Sequence, residues 1–488
     1  MVGLDGATSD IAVVWFRDDL RLADNEALTA AVHSGKAVLA LYVLDDGAHH
    51  RSLGGASRWW LHHSLESLGR DLAALGVPLV LRRGHPEAVV PEVVIEAGAD
   101  EVHWNRRYDQ RARDIDTALK ADLSGRSLLV KSHSGHLLVE PWTVKTRGGD
   151  WFKVFTPFWK AASTTLDDLA PALPVPTGVR GASKSVRSDD LDSYGLKPSN
   201  PDWAGSFRTT WMPGEAGARA RLAGFLDRRL NRYAAERDYP GADATSNLSP
   251  HLRFGEISVR TVWHAAGHYS AAHGVREAAL NKFRSELGWR EFSYHLLFHF
   301  PDLGWRNFQG RFDGFPWDDA NPLVRAWQLG QTGYPIVDAG MRQLWATGTI
   351  HNRVRMVVGS FLVKHLLVHW TVGENWFWDT LCDADVANNA AGWQWVAGSG
   401  ADAAPFFRVF NPVLQGEKFD PDGSYVRTWV PELAKMPSEF LHKPWLAPDV
   451  ILRNSGVHLG RSYPEPIVDH QKARDRALAA FERIKAAA

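Results

Sequence analysis

In the first third of the chain, short β-branched runs alternate with longer amphipathic stretches. Ile11-Val14, Ala37-Leu44, Leu79-Leu81, Glu101-Trp104 and Leu128-Val130 read as strands, and the segments between them carry helical spacing. Few folds accept that alternation: strands joined by helices run parallel, and the helices cover the faces of the sheet. The turn after the first run, Phe16-Arg17-Asp18-Asp19-Leu20-Arg21, has no glycine fingerprint, so the usual Rossmann dinucleotide cradle is not expected there. Leu169 to Gly217 is rich in Pro, Ser, Gly and Asp and lacks periodicity. Beyond Glu215 the apolar spacing is helical nearly to the end. The expected organisation is a Rossmann-like α/β domain over 9–140, an interdomain linker over 141–215 and an all-α domain over 216–488.

At 488 residues the chain is long enough for two cores. Its 55 Lys+Arg against 56 Asp+Glu give a formal charge of -1, so contact with nucleic acid must come from a local basic patch. The single cysteine, Cys382, excludes disulfides within the chain and cysteine-based zinc sites. The opening decapeptide has no charged segment followed by an apolar one, so a cytoplasmic location is the expectation. Met356 to Val368 is the most apolar long stretch, but Lys364 and His365 interrupt it; it reads as a buried helix rather than a membrane span. Tryptophan is the outlier, with 22 residues that serve either core bulk or aromatic stacking and electron hopping.

Residues 383 to 395, Asp-Ala-Asp-Val-Ala-Asn-Asn-Ala-Ala-Gly-Trp-Gln-Trp, crowd two acids, two amides and two indoles together. A planar, polar, redox-active ring would use all of them. A capped helix with two core tryptophans is the competing explanation, although so many buried polar groups would need partners. Thr245-Ser246-Asn247-Leu248-Ser249-Pro250 offers hydroxyls and an amide suited to phosphate oxygens, or simply a helix cap. Glu286 and Arg290 share a helix face, with an i,i+4 ion pair as the plain reading. Asn352 and Met356 likewise share a face, where an amide and a thioether suit a flat methylated base or merely fill a core. His365 and His369 have the spacing of a metal pair but lack further ligands in register, so no metal site is expected.

With these motifs the chain resembles the DNA photolyase and cryptochrome family along nearly its whole length. The resemblance runs from Trp15-Phe16-Arg17-Asp18-Asp19-Leu20-Arg21 through Gly333-Tyr334-Pro335 and His351-Asn352-Arg353 to Asp402-Ala403-Ala404-Pro405 and Phe410-Asn411-Pro412. It implies an α/β antenna domain followed by a helical FAD-binding domain. It also implies FAD and a second antenna chromophore, with methenyltetrahydrofolate preferred to a deazaflavin.

By motif, the resemblance implies that Tyr233, Thr245, Ser246, Asn247, Leu248 and Ser249 hold the FAD phosphates, with Arg290 and Arg355 nearby. Asp383 and Asp385 would bind toward the flavin ring, and Asn389 would face its N5. Trp393, Trp370 and Trp317 match the family's electron relay. Glu286, Trp289, Asn352, Met356 and Trp395 match positions that contact a flipped pyrimidine dimer, while Arg237, Arg353 and Gln415 match DNA-contacting ones. Relatives that repair six-four photoproducts carry histidines at the positions of Asn352 and Met356. Plant-type cryptochromes tend to carry Asp, and animal ones Cys, at the position of Asn389. The implied function is light-driven repair of cyclobutane dimers in DNA by a monomer away from any membrane, with a non-repairing blue-light cryptochrome as the alternative. Arg228, Arg229, Arg232 and Arg237 are the candidates for a basic DNA-binding rim.

Overall fold

The structure, a computed structural model, describes residues 10–47, 51–402 and 407–486. Ala403, Ala404 and Pro405 of the family motif lie outside the described residues.

The first unit is built on five parallel strands: β1 (Ile11–Phe16), β2 (Ala37–Leu44), β3 (Leu79–Arg83), β4 (Glu101–Asn105) and β5 (Leu129–His133). Their order is β3-β2-β1-β4-β5, with Ile11 opposite Ala37 and Ala12 opposite Glu101. Each expected strand is present, most of them extending one to three residues further at the carboxyl end. All eight residues of β2 are buried, which is why it reads as a continuous apolar run rather than an alternating one. The turn after β1 is filled by its own polar groups. Arg17 pairs with Asp116 at 2.7 Å, and Asp19 accepts from the Arg17 amide at 2.6 Å and from Asn105 Nδ2 at 2.7 Å. Burial raises the Asp19 carboxyl above its usual range despite these donors.

Contacts divide the chain differently from the sequence expectation. Among the described residues, those up to 145, 160–226 and 247–274 cluster with the sheet, while 146–159, 227–246 and those from 275 onward form the helical unit. Residues 160–215 of the expected linker thus cluster with the sheet. Buried Glu256 shows one reason, because it accepts from Trp60 Nε1 at 2.9 Å and the Gly214 amide at 2.7 Å and also bonds Ser64 and His251. One carboxylate thus ties 247–274 and the end of the Pro-rich segment to the helix Gly55–Ala74. Asp24 does the same further back, its carboxylate accepting the Leu173 amide at 2.8 Å.

The second unit is helical. Its long element Glu277–His299 is joined by Pro335–Thr347, Asn352–Ser360, Trp370–Thr380, Asn388–Ala397 and His470–Ala486. The apolar stretch expected as one buried helix is buried but not one helix: α-geometry ends at Ser360, and Phe361–His365 forms a π-helical turn. Lys364, on that turn, is buried and donates to the Arg408 carbonyl while lying 4.6 Å from the Phe407 ring centre. Burial lowers its pKa to about 7. His365 meets His470 at 2.8 Å, and His369 caps the helix Trp370–Thr380. Among the described residues no helix is long and apolar enough to cross a membrane.

Candidate active site

Three helices of the second unit enclose a cavity of about 440 Å³. Glu277–His299 contributes Glu286 and Trp289; Asn352–Ser360 contributes Asn352, Arg353, Arg355 and Met356; Asn388–Ala397 contributes Asn389, Trp393 and Trp395. The second helix begins where His351 Nδ1 accepts the Arg353 amide at 3.2 Å. Burial holds the His351 pKa down to about 4, so the ring is neutral near pH 7 and able to accept. Just ahead of the third helix, the Asp385 carboxylate accepts from the Ala387 amide at 2.8 Å, the Asn388 amide at 2.6 Å and the Asn388 side chain at 2.7 Å. That helix ends at Gly398, where φ of +94° suits glycine. Between the two indoles, Gln394 donates to the carbonyls of Leu303 and Arg306 at 2.7 and 2.8 Å and accepts from the Phe308 amide at 2.8 Å. The helix cannot easily rotate while those bonds hold.

Inside the cavity the polar groups are oriented by neighbours. Asn389 Nδ2 donates to the Glu374 carbonyl at 3.0 Å and its carboxylate at 2.8 Å, which leaves the amide oxygen as acceptor for a ligand N–H. Arg355 pairs with Asp383 at 2.7 Å through one carboxylate oxygen. The other oxygen, Oδ1, and Trp393 Nε1 are buried and have no hydrogen-bond partner among the described residues. Glu286 pairs with Arg237 and, at 3.1 Å, with Lys282. The i,i+4 pair with Arg290 does not form; Arg290 instead meets fully buried Glu291 at 3.1 Å, where an unpaired carboxylate would cost more. Burial disfavours the Arg237 charge, but Tyr233 and Glu286 outweigh it and raise its pKa.

Most of this arrangement lies within a recognisable sequence span, with Arg237 and Lys282 outside it. Residues 283–483 match the family model for the FAD binding domain of DNA photolyase, and 12–177 match the DNA photolyase model. A deoxyribodipyrimidine photo-lyase of Agrobacterium fabrum is 52% identical over 97% of this chain and 98% of its own length. The chain belongs to the DNA photolyase and cryptochrome family. Cryptochrome-1 of Arabidopsis thaliana is 39% identical over 98% of this chain and 71% of its own length. The crystal structure of a bacterial class III photolyase from Agrobacterium tumefaciens superposes with a TM-score of 0.95 at 50% identity, covering 99% of this chain and 100% of that one. A photolyase-type flavoenzyme that binds FAD is the class these matches show.

The residues fit the family's cofactor. An amide oxygen aimed by Glu374, an orphaned carboxylate oxygen on Asp383 and an unpaired indole N–H on Trp393 are buried groups that a polar ring system would satisfy. Asp385, by contrast, spends both oxygens on the helix start. Tyr233 is buried, edge-on to Phe283 at 5.6 Å between ring centres, with burial pushing its phenol above the usual range. The loop Thr245 to Ser249 passes from one unit to the other; Asn247 is left-handed at φ +51°, and the helix Ser249–Arg253 follows.

Of the tryptophans expected to form a relay, Trp393 lines the cavity while Trp370 is fully buried and bonds Asn307 at 2.8 Å. Trp393 presses on Gly373, one turn along from Trp370. The His369 ring stands 5.4 Å from Trp370 and 5.1 Å from Trp317, bridging the outer pair.

The expected arginine rim is largely neutralised: Arg229 pairs with Asp243, Arg232 with Glu236 at 3.0 Å, and Arg228 reaches Asp227 at 4.0 Å. A second pocket of about 370 Å³ instead gathers Arg353, Arg408, Gln415 and Lys418. Arg408 and Lys418 escape a reading of the sequence, as does Glu374. Single charges in a mixed sequence carry no local signal until the fold brings them together.

Proposed function

We propose that this protein repairs cyclobutane pyrimidine dimers in DNA under light, with reduced FAD as electron donor. The observation that carries the reading is the convergence of Glu286, Trp289, Asn352, Met356 and Trp395 on the cavity that also holds Asn389 and Trp393. Held near Asn389, Asp383 and Trp393, reduced FAD would supply reversible one-electron chemistry to the lesion under light.

The chain's own groups bind and orient. Trp289 and Trp395 offer flat faces to the two bases, Asn352 offers an amide to a pyrimidine edge, and Met356 offers a thioether beside a methyl group. Glu286, held by Arg237 and Lys282, is placed to hydrogen-bond the dimer and to shape the field where negative charge develops. A dimer must leave the duplex to enter, at a cost of about a few kcal/mol that is smaller for a poorly stacked lesion; base flipping at this general cost is already known for photolyases as a class. Arg353, Arg408 and Lys418 would hold adjacent phosphates. Trp393, Trp370 and Trp317 would carry electrons inward during photoreduction.

For the second pigment we favour methenyltetrahydrofolate ahead of a deazaflavin. The crevice at the carboxyl ends of the first unit's strands is only about 70 Å³ and contains Asp18 clamped by Arg107 at 3.0 Å and Arg253 at 2.8 Å. That is far below the ~300 Å³ at which ligand pockets begin, so the crevice does not discriminate between the two pigments and the preference rests on the family resemblance alone.

The test is illumination of the reduced protein with oligonucleotides carrying a cyclobutane dimer, a six-four photoproduct or no lesion. Loss of the cyclobutane dimer alone is expected. Persistent dimers beside a flavin that photoreduces normally would favour the non-repairing photoreceptor.

A further inference from the structure

Residues 146–159 are separated in sequence from the helices of the cavity, yet they cluster with the helical unit. Their aromatic side chains form a strap along the helix Glu277–His299. Trp151 stacks on His299 at 5.3 Å and 9°, and the Phe152 amide donates to His295 Nε2 at 3.1 Å. Phe155 lies flat on Trp289, with ring centres 3.8 Å apart and planes 9° apart. Trp159 continues the stack on Phe155 at 6.3 Å and 8°. The Phe155 amide also donates to the Asp402 carboxylate at 3.0 Å, and Asp402 itself lines the cavity.

Gly288, immediately before Trp289, shows how closely the strap is seated. A Cβ there would lie 2.5 Å from Trp159 Cε3, so the backbone carrying Trp289 rests directly against that indole. Trp289 is therefore fixed from two directions, by Trp159 beneath its backbone and by Phe155 on one ring face, while it remains only partly buried and lines the cavity.

We propose that Phe155 is a positioning residue that holds the Trp289 indole in the orientation needed to stack on a flipped pyrimidine dimer. An indole already immobilised loses less freedom on binding, which is the general advantage of preorganisation. The inference rests on the repair reading of the cavity and adds a residue outside it. Phe155 acts on discrimination between damaged and undamaged DNA, and not on general phosphate affinity.

The test is a double-mutant cycle on the FAD-loaded protein, reading the ratio of affinities for dimer-containing and undamaged duplex. Trp289→Ala alone lowers that ratio if the cavity takes the lesion; no change there would sink the repair reading and leave Phe155 nothing to position. Phe155→Leu is expected to lower the ratio about three- to tenfold, a fraction of the effect of deleting a base-stacking aromatic. It should leave FAD content and undamaged-DNA affinity unchanged, and have no further effect in the Trp289→Ala background. Phe155→Tyr, which keeps the ring, should retain the ratio. An equal loss in both backgrounds, or no loss in either, would overturn the proposal. Phe155→Met repeats the measurement if the leucine variant sheds its flavin.

Discussion

Gly373→Ala tests how tightly Trp393 is held against the helix Trp370–Thr380. The added Cβ would lie 2.2 Å from Trp393 Cη2, 2.5 Å from Cζ3 and 2.6 Å from Leu362 Cδ2. Neither neighbour is the loose end of an exposed chain, because both are buried. Replacing a helical glycine by alanine gains about 1 kcal/mol of helix propensity, whereas forced overpacking costs about 1–3 kcal/mol. The net expectation is destabilisation of up to ~2 kcal/mol, with the indole displaced. Gly359→Ala is the matched control, approaching Trp393 from another helix. Its Cβ would sit 3.5 Å from Trp393 Cζ3 and 3.3 Å from Val396 Cγ1, so only a methyl group must yield slightly and the propensity gain largely survives. Urea unfolding followed by flavin release, together with the rate of flavin photoreduction, reads both variants. Gly373→Ala should lower the midpoint and slow photoreduction, while Gly359→Ala should match or exceed the parent in stability. Equal behaviour of the two would refute the packing argument.

Glu286→Gln should keep FAD but lower the yield of dimer splitting per photon absorbed about tenfold or more, in line with loss of an electrostatic group at a reacting centre; unchanged yield would remove that role. Trp370→Phe should abolish photoreduction yet leave repair by chemically reduced protein intact, as transient absorption and repair assays would show. Arg408→Gln with Lys418→Gln should weaken binding to any DNA and reduce the slope of log affinity against log salt by about 2. Lys364→Met addresses pH dependence. The folded pKa of about 7 lies below the usual 10.5, so the unfolded chain binds more protons between those values and stability rises as pH increases from 7 to 10.5. Below pH 7 the buried charge costs up to about 4–5 kcal/mol, so the methionine variant should gain most there and flatten the profile; parallel urea midpoints at pH 6 and pH 9 would contradict this.

What is legible in the sequence is local. The β-branched runs announce the five strands because each is short, apolar and bounded by turns, and Asn388, Asn389, Trp393 and Trp395 fall on one helix that lines the cavity. Pairings across the fold are not legible. Glu286 has Arg290 at the right helical spacing, yet distant Arg237 claims it. The Pro-rich segment reads only as an interdomain connection, and its anchors, such as Asp24, are not legible because they lie far away in the chain. The π-turn at Phe361–His365 lies within a run whose apolar pattern is indifferent to winding. Phe155 and Trp159 are ordinary core aromatics to the eye until the helix carrying Trp289 comes to lie against them.

The most direct measurement is the fate of a thymine dimer in a defined oligonucleotide mixed with the fully reduced, FAD-loaded protein and exposed to blue light, beside a dark control. Catalytic restoration of intact thymines in the light alone is predicted. Dimers that survive while the protein binds them and its flavin absorbs the light would contradict the account.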